Sequence, residues 1–285
     1  MSKPQIISNP ADVQKAAREW KKEGLSIGLV PTMGYLHDGH RSLIHKAVEQ
    51  NDRVIVSIFV NPIQFGPNED LDNYPRDLEA DTAVCESEGV DIIFHPEPKD
   101  MYGDHFLTHV EVDEITKVLC GRSRPVHFKG VTTVVNKLMN ISKADRAYFG
   151  QKDAQQLAVV KKMVKDLNID IEVVGCPIVR EEDGLAKSSR NKYLSPEERK
   201  AAVVLSRSLN RAHALMNEGE RNADKIRSTI SDELSKEPLA DPEYVSVVDS
   251  ETLQDIKGDI NDPVLVAIAV RIGSTRLIDN FSFEL

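Results

Sequence analysis

Apolar runs and amphipathic stretches alternate along the first part of the chain. Ile27, Leu29 and Val30 form a short apolar run, Leu43, Ile44, Ala47 and Val48 follow at helical spacing, and residues 54–60 are apolar again. Strand, helix and strand in that order make a βαβ unit. The pattern extends on both sides. Asn9-Pro10 opens a helix to about Lys22 that Gly24 stops, residues 78–88 read as a helix closed by Gly89, and residues 90–95 as a strand. Further on, residues 96–104 read as a loop and 108–112 as a strand, with a short helix ending at Cys120. Residues 121–130 form a glycine-bounded loop carrying several cations, and residues 131–141 a helix. A strand at 147–150 then leads to a helix over 154–167, with Leu157, Val160, Val164 and Leu167 on its inner face, and to a strand at 169–174.

From Val179 the texture changes. A charged turn and a compact polar loop precede Ser195-Pro196-Glu197-Glu198, which has Ser at the N-cap, Pro at N1 and Glu at N3 and predicts a helix to about Met216. A second helix covers 223–234, and strands are expected at 244–248, 263–270 and 277–283, the last two joined as a tight hairpin at Gly273-Ser274-Thr275. The fold class expected is α/β: a parallel-sheet domain over residues 1–178, then a smaller α+β domain over 179–285.

Composition narrows the function. The chain has 285 residues, 40% hydrophobic and 29% charged, an ordinary globular balance. The net charge of −10 argues against a broad nucleic-acid surface. No apolar run reaches the roughly 18 residues of a membrane span, and the N-terminus lacks a secretory core, so a cytoplasmic location is expected. Cys85, Cys120 and Cys176 are too scattered for a zinc site or a disulfide framework and read as reduced thiols.

The candidate chemistry centres on Pro31-Thr32-Met33-Gly34-Tyr35-Leu36-His37-Asp38-Gly39-His40. His37 and His40 sit where a strand turns into a helix, a place where backbone N–H groups and the helix dipole favour phosphate, and at i, i+3 both rings can share one face. Residues 61–76 form a long polar loop at the carboxyl end of the second strand, where open α/β sheets bind ligands. Lys152 and Arg190 can offset phosphate charge, Ser188 and Ser189 add donors, and Asp153 or Asp81 could hold Mg²⁺ or a ribose. The first βα turn has no Gly-x-Gly-x-x-Gly, which weighs against a dinucleotide oxidoreductase.

His-x-Gly-His after Pro-Thr-Met-Gly is similar to the HIGH signature of nucleotidylyltransferases and class I synthetases. Five further blocks extend the likeness: Phe59-Val60-Asn61-Pro62-Ile63-Gln64-Phe65-Gly66, Asn73-Tyr74-Pro75-Arg76-Asp77, His127-Phe128-Lys129-Gly130-Val131, residues 149–156 and Lys187-Ser188-Ser189-Arg190-Asn191. Together they resemble the pantothenate synthetase family, the AMP-forming pantoate–β-alanine ligases, over nearly the whole chain. The resemblance implies a Rossmann-like N-terminal domain, a C-terminal lid, a cytoplasmic homodimer, and ATP (with Mg²⁺), pantoate and β-alanine as partners. It implies ATP contacts from Met33, Gly34, Tyr35, Leu36, His37, Asp38, Gly39, His40, Gly150, Gln151, Lys152, Asp153, Val179, Lys187, Ser188, Ser189 and Arg190. Gln64 and Gln156 would hold pantoate, with Gln64 also at the β-alanine entry. The catalytic set would be His40, as proton donor or charge stabiliser, with His37 and Lys152. Asn61, Tyr74, Asp81, Arg124 and His127 match positions that line or support the pocket, and the methyl-bearing part of pantoate would lie against Pro31, Met33 and Phe65. Two departures stand out: Gln151 where the family commonly has Glu, and Lys187 where it commonly has Met. A different adenylating or cytidylating enzyme of the same superfamily, or a non-catalytic nucleotide sensor, is the competing reading.

Overall fold

The computed structural model describes residues 3–67 and 69–285. The elements are β1 (Gln5–Ile7), α1 (Pro10–Lys22), β2 (Ile27–Thr32), α2 (Asp38–Gln50), β3 (Arg53–Ile58), α3 (Leu78–Glu88), β4 (Ile92–Phe94), α4 (Pro98–Tyr102), α5 (Cys120–Ser123), α6 (His127–Ser142), β5 (Arg146–Gly150), α7 (Ala154–Asp166) and β6 (Glu172–Cys176). They continue with α8 (Pro196–Ala201), α9 (Val204–Asn217), α10 (Ala223–Leu234), β7 (Ala240–Asp249), β8 (Val264–Ile272) and β9 (Thr275–Phe283). The chain forms two compact units, one of Met1–Thr116, Arg124–Gln151 and Gln156–Pro177, the other of Lys117–Ser123, Lys152–Gln155 and Ile178–Leu285.

In the first unit six strands form a wholly parallel sheet in the order β1-β4-β3-β2-β5-β6. Its central strands read as continuous apolar runs because both faces are covered: Ile27, Val30, Ile55, Val56 and Ile93 are buried, and Ile44 and Ala47 of α2 join Val30 and Val56 in one cluster. The order reverses between β2 and β5. That makes their carboxyl ends, Thr32 and Gly150, the switch point at which such sheets bind ligands.

Several expectations are corrected here. The edge strand β1 is too short for a pattern, only Ile7 of its three residues being buried. Residues 108–112 form no strand. Val110 donates its N–H to Thr133 Oγ1 (3.0 Å) and its carbonyl accepts from Thr132 Oγ1 (2.6 Å), so two helix hydroxyls replace a sheet neighbour. The expected loop at 96–104 holds α4, with Pro98 at its start and Glu97 N–H bonded to Asp100 Oδ2. Helix α6 begins at His127, four residues before the predicted start. On α7 the buried apolar positions are Leu157, Val159, Val160 and Met163, whereas Leu167, just past its end, is 52% exposed.

The second unit holds the antiparallel sheet β7-β8-β9 and α8, α9 and α10. Val264, Val266, Ile268 and Val270 of β8 share a core with Leu205, Leu209 and Ala212 of α9 and Ile226 and Ile230 of α10. The hairpin is as expected, with Ile272 opposite Thr275. The single helix expected from 195 to 216 is two. At the join Val203 N–H reaches Lys200 O and Leu205 N–H reaches Ala202 O, tight i→i−3 closures, while Ser206 Oγ donates to Val203 O.

Candidate active site

The turn after β2 is built around a buried carboxylate. Asp81, in the first turn of α3 and 2% exposed, accepts from Tyr35 N (2.9 Å) and Leu36 N (2.7 Å). Tyr35 (φ 53°) and Gly34 (φ 84°) both adopt the left-handed region, and a Cβ on Gly34 would come within 2.9 Å of Asp81 Oδ2. Glycine is therefore required there on two counts. Burial pushes the Asp81 carboxyl up from the usual range, and the Leu36 and Tyr35 amides only partly counter it. Both oxygens accept from the loop, so Asp81 braces the turn. Among the described residues no group of three or more His, Cys, Asp or Glu could hold a metal.

From that turn the chain enters α2 through two interlocked histidines. His37 is the N-cap, and its Nδ1 accepts from Gly39 N at 3.1 Å; His40 Nδ1 accepts from His37 N at 3.3 Å. The rings lie 4.1 Å apart at 39°. This corrects one expectation: the Gly39 and His37 amides are spent on the imidazoles. Because each Nδ1 is an acceptor, the neutral rings carry their proton on Nε2.

Through Met33 the same turn meets a buried cluster of side-chain amides. Gln64 is 7% exposed; its Oε1 accepts from Asn61 Nδ2 (3.0 Å) and its Nε2 donates to Met33 Sδ (3.1 Å). Asn61 Nδ2 also donates to Gly130 O at 3.1 Å, and Tyr102 Oη donates to Asn61 Oδ1. His127 Nδ1 donates to Gln64 O at 3.1 Å. A Cβ on Gly130 would stand 2.4 Å from Gln64 Cα and 2.6 Å from Ile63 O, so α6 meets the 61–64 turn backbone to backbone. Arg124 forks onto Glu69 (2.6 and 2.7 Å), and Glu69 accepts from Gly66 N. Burial raises the Glu69 carboxyl, and Arg124, with the Gly66 amide and His127, more than offsets it, leaving it below the usual range. Tyr74 packs edge-on to Phe65, 6.1 Å between centroids. Gln156 stands half-buried on α7, while its neighbour Gln155 is buried and holds Cys120 N and Val118 O.

In the second unit Lys152 Nζ lies 3.4 Å from Asp153, and the Lys152 carbonyl accepts from Asn280. Val179 O accepts from Lys187 N, and Lys187 Nζ pairs with Glu181 at 3.1 Å. Ser188 Oγ accepts from Arg190 N and caps the short 3₁₀ turn Ser189–Tyr193. Arg180 forks onto Asp279, whose side chain is 1% exposed, and so ties the 180–187 hairpin to β9. Tyr102 went unnoticed in the sequence because its segment read as loop. The only local sign was Glu97-Pro98 with Asp100 three residues on, a helix start.

A parallel sheet with a histidine-bearing turn at its switch point places the chain among the α/β enzymes that work on nucleotides. Comparison narrows this: the sequence profile of the pantoate–β-alanine ligases matches residues 5–282, and the chain belongs to that family. It is accordingly a ligase. Pantothenate synthetase of Clostridium acetobutylicum is 61% identical over 281 residues, 99% of this chain and 100% of that protein. A crystal structure of pantothenate synthetase from Thermus thermophilus superimposes with a TM-score of 0.91 at 43% identity, covering 97% of this chain and 98% of the other. The Francisella tularensis pantoate–β-alanine ligase, complexed with β,γ-ATP and β-alanine, has a TM-score of 0.79 at 37% identity, covering 98% and 97%.

Proposed function

We propose that this chain joins pantoate to β-alanine in two steps at the expense of ATP. A pantoate carboxylate oxygen attacks the α-phosphorus in line, and the bond to pyrophosphate breaks. The β-alanine amine, losing a proton, then attacks the acyl carbon of pantoyl adenylate, forming the amide and releasing AMP. The observation that carries this reading is the histidine pair at the start of α2, each Nδ1 accepting a backbone amide, on the same turn whose Met33 meets Gln64.

Adenylation needs no proton from the protein, since a carboxylate attacks and pyrophosphate departs as an anion. His37 and His40 therefore act by donating Nε2–H to phosphate oxygens as charge builds on them. We assign ATP contacts to Met33, Gly34, Tyr35, Leu36, Asp38, Gly39, Gly150 and Gln151 of the first unit. From the second come Lys152, Asp153, Val179, Lys187, Ser188, Ser189 and Arg190, with Lys152 supplying a further cation to the phosphates. Mg²⁺ enters on the ATP phosphates, and no protein ligand is assigned to it. Gln64 and Gln156 hold pantoate, and Gln64 also borders the β-alanine position. Exclusion of water protects the acyl adenylate from hydrolysis. A cytoplasmic homodimer is the form in which we expect the enzyme to work.

The test is twofold: pyrophosphate–ATP exchange should depend on pantoate alone, and AMP release should require pantoate and β-alanine together. Exchange supported equally by unrelated acids would sink the assignment.

A further inference from the structure

The amide cluster around Asn61 has a polarity that can be read from one fixed point. Gly130 O is a backbone carbonyl and can only accept, so the Asn61 side chain must turn its Nδ2 toward it. With that group placed, the second Asn61 hydrogen goes to Gln64 Oε1, and Asn61 Oδ1 is left to accept from Tyr102 Oη. Asn61 is 1% exposed and its amide is committed on both ends. Gln64 is thereby forced to present Nε2 away from Asn61. Its partner there is Met33 Sδ, the weakest acceptor in the side-chain inventory. An oxygen of a bound acid displaces sulfur readily from such a donor.

Tyr102 is held for this task. Its ring sits 4.9 Å from that of Phe106 and 6.2 Å from that of Phe59, with the Lys137 ammonium 5.9 Å above it. Burial pushes its phenol well above the ordinary value and keeps it a donor.

We infer that Tyr102 is a positioning residue: by donating to Asn61 Oδ1 it satisfies that buried oxygen and holds Asn61 in the orientation that Gly130 O selects, which keeps Gln64 a hydrogen-bond donor toward an oxygen of the acid substrate. This rests on the reading that Gln64 holds pantoate. It also sharpens that reading, because a glutamine in an unconstrained pocket could equally have accepted from a hydroxyl.

The experiment uses the full-length enzyme in pantoate-dependent pyrophosphate–ATP exchange. In Tyr102→Phe the ring stays and the hydroxyl goes, so the KM for pantoate should rise about tenfold while the KM for ATP moves less than about twofold. Gln64→Ala should raise the pantoate KM at least as much, and adding Tyr102→Phe to Gln64→Ala should change nothing further, because the hydroxyl acts only through that amide. Asn61→Asp, which puts an oxygen where Nδ2 stood and drives Gln64 to turn over, should raise the pantoate KM more than about tenfold and serves if Tyr102→Phe does not fold. If Gln64→Ala leaves pantoate unaffected, the reading of Gln64 fails and the inference with it. If Gln64→Ala weakens pantoate but folded Tyr102→Phe does not, or the two effects simply add, or both KM values rise together, only the role of Tyr102 is overturned.

Discussion

An imidazole whose Nδ1 accepts a backbone amide can act as a donor without being charged, and this is how His37 and His40 differ from an acid–base pair. His40→Ala should leave the fold intact and lower turnover about 10²–10³-fold, the cost of one preorganised donor to a charged transition state; unchanged turnover in the exchange assay would remove the residue from the mechanism. Asp81 supports the pair from behind. In Asp81→Asn one of the Tyr35 and Leu36 amides loses its acceptor, so the turn carrying His37 shifts and turnover should fall about ten- to a hundredfold. Stopped-flow comparison with ATP-binding titrations would show whether the loss lies in kcat, as a displaced histidine requires. The histidines were legible because their spacing and their place after a buried strand are local. Asp81 as a brace was not, since its partners are contributed by a different βα turn and an acidic residue early in a helix has an ordinary explanation in the helix dipole.

At the scale of elements, periodicity made the β2–α2–β3 unit legible, whereas α1 and α3 were legible from the residues that start and stop them, Asn9-Pro10 with Gly24 and the closing Gly89. What periodicity marks poorly is any segment whose backbone groups are satisfied by something other than its own kind. Residues 108–112 alternate like a strand yet end on the hydroxyls of Thr132 and Thr133. Gly130 read as the boundary of a loop, whereas it lies inside the first turns of α6 because only hydrogen fits against Gln64 and Ile63. This gives a prediction for the contact of α6 with the 61–64 turn. Gly130→Ala places a methyl against backbone that cannot rotate away, so it should destabilise by about 1–3 kcal/mol in urea unfolding and weaken pantoate more than ATP. A stability equal to wild type would mean the two backbones separate easily, and the Asn61 bond to Gly130 O would not be the fixed point it is taken to be.

At the scale of the whole molecule the carboxylates of the two units differ in their balance toward acid. In the second unit Asp183, Glu220, Glu233, Glu243 and Asp249 are all held below their usual range, Glu243 down to about 2 by the Arg276 guanidinium that forks onto it. A carboxyl depressed in the folded state stabilises above its unfolded value, 4.5 for Glu243, and that contribution drains away as pH falls toward about 2. In the first unit Asp52, Glu69 and Asp145 act in the same sense, but burial raises Asp81 and Asp91. Those two bind protons more tightly when folded, so protonating them favours the fold and offsets part of the loss. Acid should therefore loosen the second unit first. The chain's single tryptophan, Trp20, lies on α1 in the first unit with Arg53 5.8 Å from its ring, and so reports on that unit alone. On titration below pH 4.5, far-UV ellipticity should begin to fall before the Trp20 emission shifts, and Glu243→Gln should narrow the gap by removing the most strongly held carboxylate. Coincident transitions, or a Trp20 shift that comes first, would show that the two units share one acid response and that the offset from Asp81 and Asp91 is too small to matter.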